Sequence, residues 1–134
     1  MPEMPENSGT SLRLMAHLMR RAGFGAGRNE LEQRASVGYD ETVDELLHPE
    51  TQIPVDYYEF LRYYPLWWKP GTMGGLGHAG WVWRMINTRA PLQEKLCLFY
   101  HQLFATGVAK VDHYDDIEDM IDMFREKGMG QYKT

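Results

Sequence analysis

Residues 91–104 read Pro91-Leu92-Gln93-Glu94-Lys95-Leu96-Cys97-Leu98-Phe99-Tyr100-His101-Gln102-Leu103-Phe104, and this stretch decides the fold class. Leu92, Leu96, Phe99 and Leu103 recur at the three- and four-residue spacing that gathers side chains on one side of an α-helix. Cys97, Tyr100 and Phe104 widen that stripe, while the period-two alternation of a strand is missing. Pro91 suits a first helical turn, where its absent N–H is not needed. A helix that is apolar on more than one side has to be surrounded by other elements. The segment is therefore predicted to be the most buried of the chain, with Phe99 fully enclosed.

On the C-terminal side, Ile117, Met120, Ile121 and Phe124 mark a helix from about Tyr114 to Lys127, with carboxylates between them and Gly128 as the stop. That apolar stripe is expected to stay partly uncovered. On the N-terminal side, Trp81 to Thr88 reads as a helix interrupted by Arg89-Ala90-Pro91. Before it, from about residue 49 to 80, Pro54, Pro65 and Pro70 together with Gly71, Gly74, Gly75, Gly77 and Gly80 predict a long loop. The loop is aromatic: Tyr57, Tyr58, Phe60, Tyr63, Tyr64, Trp67 and Trp68 lie within twelve residues. Further back, a helix runs from Ser11 through Leu14, Met15, Leu18, Met19 and Ala22 to Gly23. The turn Gly23-Phe24-Gly25-Ala26-Gly27 follows, with Phe24 expected to plug the core, and then two short helices, about Arg28 to Ser36 and from Asp40 to before His48-Pro49. Residues 1–10 read as a flexible lead-in and 11–134 as a partial helical domain. No repeat and no strand alternation is present, so the fold class is mainly α, an irregular multi-helix array with a long aromatic and Gly/Pro-rich loop.

Composition narrows the function. The 134 residues are 43% hydrophobic and 25% charged, ordinary globular usage for a chain able to bury roughly two thirds of its unfolded surface. A net charge of -5 gives no basic field for nucleic acid. The single cysteine, Cys97, allows no intrachain disulfide and no cysteine-built zinc site. No apolar run approaches a membrane span, and Gly23 to Glu32 follows Arg20-Arg21 where an export signal would need apolar residues, so a cytoplasmic chain with no membrane partner is expected.

Three ordered blocks carry a resemblance. His17-Leu18-Met19-Arg20-Arg21-Ala22-Gly23-Phe24-Gly25 comes first, then Pro91-Leu92-Gln93-Glu94-Lys95 through Leu98-Phe99-Tyr100-His101 to Phe104-Ala105-Thr106 and Lys110-Val111, then Phe124-Arg125-Glu126 with Met129-Gly130-Gln131-Tyr132. Together they resemble the bacterial family called domain of unknown function 1800. The resemblance implies a largely helical architecture, no agreed activity, and a family domain several times longer, of which this chain would be the N-terminal part. Its partner would then be the remainder of that domain or another protein. Members often carry a second histidine two residues after the position of His101; here that place is Leu103, so no role of that histidine carries over.

Several residues could carry chemistry. Glu94 and His101 lie seven positions apart, close to one side of the helix, and could flank a metal ion or a water with His113 or Asp112 as a third group. Equally, Glu94 suits a helix N-terminus and His101 a hydrogen bond to a neighbouring segment. Gly75-Leu76-Gly77-His78-Ala79-Gly80 spells the dinucleotide-binding pattern, but no apolar strand precedes it, so a loop is the expectation. Asp112, Asp115, Asp116, Glu118, Asp119 and Asp122 lack the spacing of a calcium loop and read as a solvated helix face, open to pairing with Arg20 and Arg21. Tyr64, Trp67, Trp68 and Trp81 could form a stacking platform for a sugar, or pack as core. No cofactor is indicated. Three classes follow: a non-catalytic helical segment that packs or binds a partner, a fragment of a metal-dependent or acid/base enzyme using Glu94 and His101, and a carbohydrate-binding surface on the aromatic loop.

Overall fold

A computed structural model describes residues 6–62, 74–107, 111 and 114–131. The protein is mainly α, and no strand occurs among the described residues. Among the described residues seven helices follow one another: α1 (Glu6–Ala22), α2 (Arg28–Val37), α3 (Tyr39–Leu47), α4 (Tyr57–Arg62), α5 (Gly74–Asn87), α6 (Pro91–Leu103) and α7 (Tyr114–Lys127), with a 3₁₀ turn at Pro49–Thr51. Helix α6 is the hub, packed against α1, α3, α5 and α7, the last most extensively. The core is built from Met15 and Met19 of α1, Thr42 and Leu46 of α3, Phe60, Cys97 of α6, and Ile117 and Phe124 of α7.

Local chemistry sets most boundaries. Gly38 separates α2 from α3 at φ 131°, a conformation that favours glycine, and its carbonyl accepts both the amide and the hydroxyl of buried Thr42. Pro49 ends α3 one residue after His48. Helix α2 buries no residue; Arg28 pairs with Glu32 and Arg34 with Glu30 along its own surface, and Arg34 also reaches Glu45 of α3. Pro91 sits in the first turn of α6 as predicted.

Several expectations are corrected. Helix α1 starts at Glu6, ahead of Ser11, because Glu6-Asn7-Ser8 is acceptable to a first turn and an acidic residue there favours the helix dipole. The segment expected to be one loop holds the 3₁₀ turn, α4 and the start of α5. Gly74 to Gly80 is helical despite glycine's low helix propensity, so the dinucleotide-like pattern lies within α5 rather than in a loop ahead of a helix, and Gly80 is buried. Phe24 is exposed, and it is Gly23 that takes the buried place, since a Cβ there would come within 2.9 Å of Pro91 Cβ.

The largest correction concerns α6. Phe99 is 54% exposed, Leu103 62% and Phe104 59%, so the expected inward stripe faces outward over its second half. The buried side is Pro91, Glu94 and Cys97. Of the α7 stripe expected to stay partly uncovered, Ile117 and Phe124 are buried while Met120 and Ile121 are half-buried.

Candidate functional site

The chemistry-bearing side chains converge where α5, α6 and α7 meet. Glu94, in the first turn of α6, is only 2% exposed. Arg125 of α7 reaches it with Nε 2.6 Å from Oε1 and a second contact of 3.3 Å from Nη2 to Oε2, a two-pronged ion pair. The indole N–H of Trp81 in α5 donates to Oε2 at 3.1 Å, so both carboxylate oxygens are engaged. Arg125 also pairs with Asp122 of its own helix, and its backbone carbonyl accepts from Gln93 Nε2 at 3.0 Å. Burial works to lower the pKa of the Arg125 guanidinium, and the hydrogen bond and charge of Glu94, joined by Asp122, outweigh it and hold the group above its ordinary value. A charge removed from water is tolerable only when paired this closely.

Cys97 lies one turn further along α6, fully buried, with its thiol donating to the Ile121 carbonyl at 3.3 Å. Burial pushes this thiol up to about 11, which makes it a poor nucleophile at neutral pH. His101 meets the edge of Trp81, ring centres 5.3 Å apart, and its Nδ1 is buried without a hydrogen-bond partner among the described residues.

The structure thus brings together Glu94, His101 and Trp81 of the residues singled out from the sequence, with Trp81 touching both others. His113, Asp112, Tyr64, Trp67 and Trp68 lie outside the described residues. Among the described residues, no three His, Cys, Asp or Glu side chains come together in a way that could hold a metal ion. Asp122 pairs with Arg125 rather than with Arg20 or Arg21. Arg125, Gln93 and Lys95 were not singled out by the sequence as a site. Lys95 donates to the carbonyls of Arg20 at 2.7 Å and Gly23 at 2.6 Å, closing the C-terminal end of α1, with Nζ 5.9 Å from the centre of the Phe24 ring.

Two hollows adjoin the ion pair. One of about 320 Å³ lies between the Pro49–Val55 segment and Arg84, Glu94 and Arg125, and one of about 170 Å³ lies between Gly80, Trp81, Ile121 and Asp122. A larger apolar groove of about 720 Å³ opens where the end of α6 meets α7, lined by Tyr100, Leu103, Phe104, Met120, Met123 and Phe124. Its floor is ordered by ring contacts, Phe104 stacked on Phe124 at 5.6 Å and Tyr100 tilted on Phe124 at 6.0 Å.

The first and third ordered blocks therefore both meet the second: Gly23 on Pro91, Lys95 on the end of α1, and Arg125 on Glu94. No match is found among curated proteins or among solved structures. The sequence profile of one family matches residues 17–134, nearly the whole chain, and the protein belongs to that family, described as Protein of unknown function (DUF1800).

Proposed function

We propose that this chain is a non-catalytic helical unit that binds a partner through the groove between α6 and α7. The observation behind this reading is the groove itself: Leu103, Phe104 and Met123 are exposed apolar side chains gathered around one cleft. Contiguous apolar surface of this kind is costly to leave in water, by about 25 cal/mol per Å², and marks interaction sites on folded proteins. The carboxylate best placed by sequence for catalysis serves the fold instead, since Glu94 is held at both oxygens by Arg125 and Trp81. The partner is a second polypeptide or a further segment of the family domain.

The test is the native-state fluorescence of a hydrophobic dye. Wild-type protein is expected to bind it while still melting cooperatively, and Phe104→Asp, at an exposed position, should abolish binding without unfolding the chain. A dye-silent wild type would contradict the reading.

One observation favours a second reading, metal or proton handling at His101: its buried Nδ1 has no partner among the described residues. Stoichiometric zinc retained by the purified protein and lost in His101→Ala would support that alternative.

A further inference from the structure

We infer that the outward face of α1 docks on the outward face of α7 in a second copy of this chain, through pairs of arginine with carboxylate. The charge of the protein is segregated between these two helices. Helix α1 carries three arginines against one carboxylate, Glu6, whereas α7 carries six carboxylates against two cations, in a chain of net charge -5. Arg13, His17 and Arg20 stand at i, i+4 and i+7 with Arg21 beside them, so they share one side of α1, and all four are exposed. On α2 and α7 the arginines find carboxylates within the chain: Arg28, Arg34 and Arg125 are all paired. Arg13, Arg20 and Arg21 have no ion-pair partner among the described residues.

Helix α7 presents the opposite sign. Asp116, Asp119 and Glu126 stand at i, i+3 and i+10, again on one side of a helix and exposed. Asp116 and Asp119 have no ion-pair partner among the described residues, and Glu126 meets its neighbour Lys127 at 3.8 Å. None of these residues of α1 and α7 lines the α6–α7 groove, so the inference goes beyond the partner-binding reading and does not rest on it.

A second copy is the occupant because both complementary surfaces belong to this one chain. Each helix packs on α6, with Met15 and Met19 of α1 and Ile117 and Phe124 of α7 turned inward, and no ion pair joins α1 to α7 among the described residues of one copy. Between copies the stripes match in length, about 12 Å from Arg13 to Arg21 and about 15 Å from Asp116 to Glu126. Docking of α1 on α1, or of α7 on α7, would oppose like charges. An anionic surface is disfavoured by the net charge of the whole chain. A contact of α1 with α7 either closes into a dimer or ring or continues head to tail. Exposed ion pairs are individually weak and screened by salt, so the association is concentration-dependent and salt-sensitive.

The experiment is sedimentation equilibrium of the full chain from about 10 μM to about 1 mM, a range that brackets weak complexes. At low salt the average mass is expected to rise with concentration, and near 1 M salt, where the screening length falls to about 3 Å, it should return to that of the monomer. Arg13→Glu/Arg20→Glu/Arg21→Glu and, separately, Asp116→Lys/Asp119→Lys/Glu126→Lys should each weaken the low-salt association at least about tenfold. All six positions are exposed, so neither variant disturbs the core. The six substitutions combined in one chain leave the net charge at -5 and exchange the signs of the two stripes, and should restore the association.

A wild type that stays monomeric at low salt would overturn the inference, and so would a combined variant that associates no better than its two parents. Association that persists at high salt and in both threefold variants would place the contact on the apolar groove instead. A monomeric wild type that binds phosphatidylserine vesicles, with binding lost in the α1 variant, would assign the arginines to an anionic surface and overturn the inference as well.

Discussion

Glu94 shows how a residue's type and its neighbours can point in different directions. A glutamate seven residues before a histidine on one helix is a reasonable site candidate, and both residues are legible from sequence by their chemistry. What assigns Glu94 its place is Arg125, 31 positions further on in another helix, and no spacing rule carries a pairing across that separation. Trp81 is legible as an aromatic, yet its hydrogen bond to Glu94 depends on how α5 packs against α6. Removing one partner of the buried pair, by Glu94→Gln or Arg125→Met, should cost about 3 to 5 kcal/mol because the other charge is left uncompensated. Replacing both by methionine should cost much less than the sum of the two, as read from a double-mutant cycle in urea. Strictly additive losses would mean that the pair does not hold α6 to α7. Gly23→Ala is a second residue-scale case: a methyl group 2.9 Å from Pro91 Cβ forces α1 away from α6, with an expected loss of about 1 to 3 kcal/mol in the same assay.

At the scale of elements, helices with a chemical start and stop could be read in advance. Helices α2 and α3 are bracketed by Gly38 and by His48-Pro49, and α7 is closed by Gly128, whose amide donates to the Phe124 carbonyl. Helix α5 was read from Trp81 onward, and its first half was hidden because glycine is a poor helix former. The inward face of α6 was hidden for another reason. With apolar residues on several sides, periodicity alone cannot choose a face, and the choice falls to the ion pair of Glu94 and the burial of Cys97. Phe99→Ala should therefore cost only about 1 kcal/mol, whereas Ile117→Ala on the buried side of α7 should cost about 2 to 5, compared by urea midpoints. A larger loss at Phe99 would restore the face expected from sequence. Cys97 gives a pH test of the same packing. Its thiol titrates at about 11 in the folded chain against 9.0 ordinarily, so the unfolded chain releases its proton first. This contribution to stability is complete below pH 9 and falls as pH rises from 9.0 to about 11. The thiol should accordingly resist disulfide reagents at pH 8 until the protein unfolds, and rapid labelling of native protein would show that α6 and α7 do not enclose it.

Over the whole molecule, the three segments that carry the family resemblance, separated in sequence, come together around one helix. The first fastens its end through Lys95, the second is the hub α6, and the third supplies Arg125. No described helix is long and apolar enough to cross a membrane. The pair of Glu94 and Arg125 and the groove around Phe104 then divide the labour of α6, its first half fixing the fold and its second half facing outward. The location of the groove escaped sequence reading because it depends on which side of α6 is buried. The most direct test is hydrogen exchange of the native chain with and without a saturating hydrophobic dye. Slower exchange should be confined to the end of α6 and to α7, around Leu103 to Thr106 and Met120 to Lys127, with the α1 to α3 region unchanged. Protection centred instead on Arg84 to Glu94 would place the ligand at the buried ion pair and contradict the account.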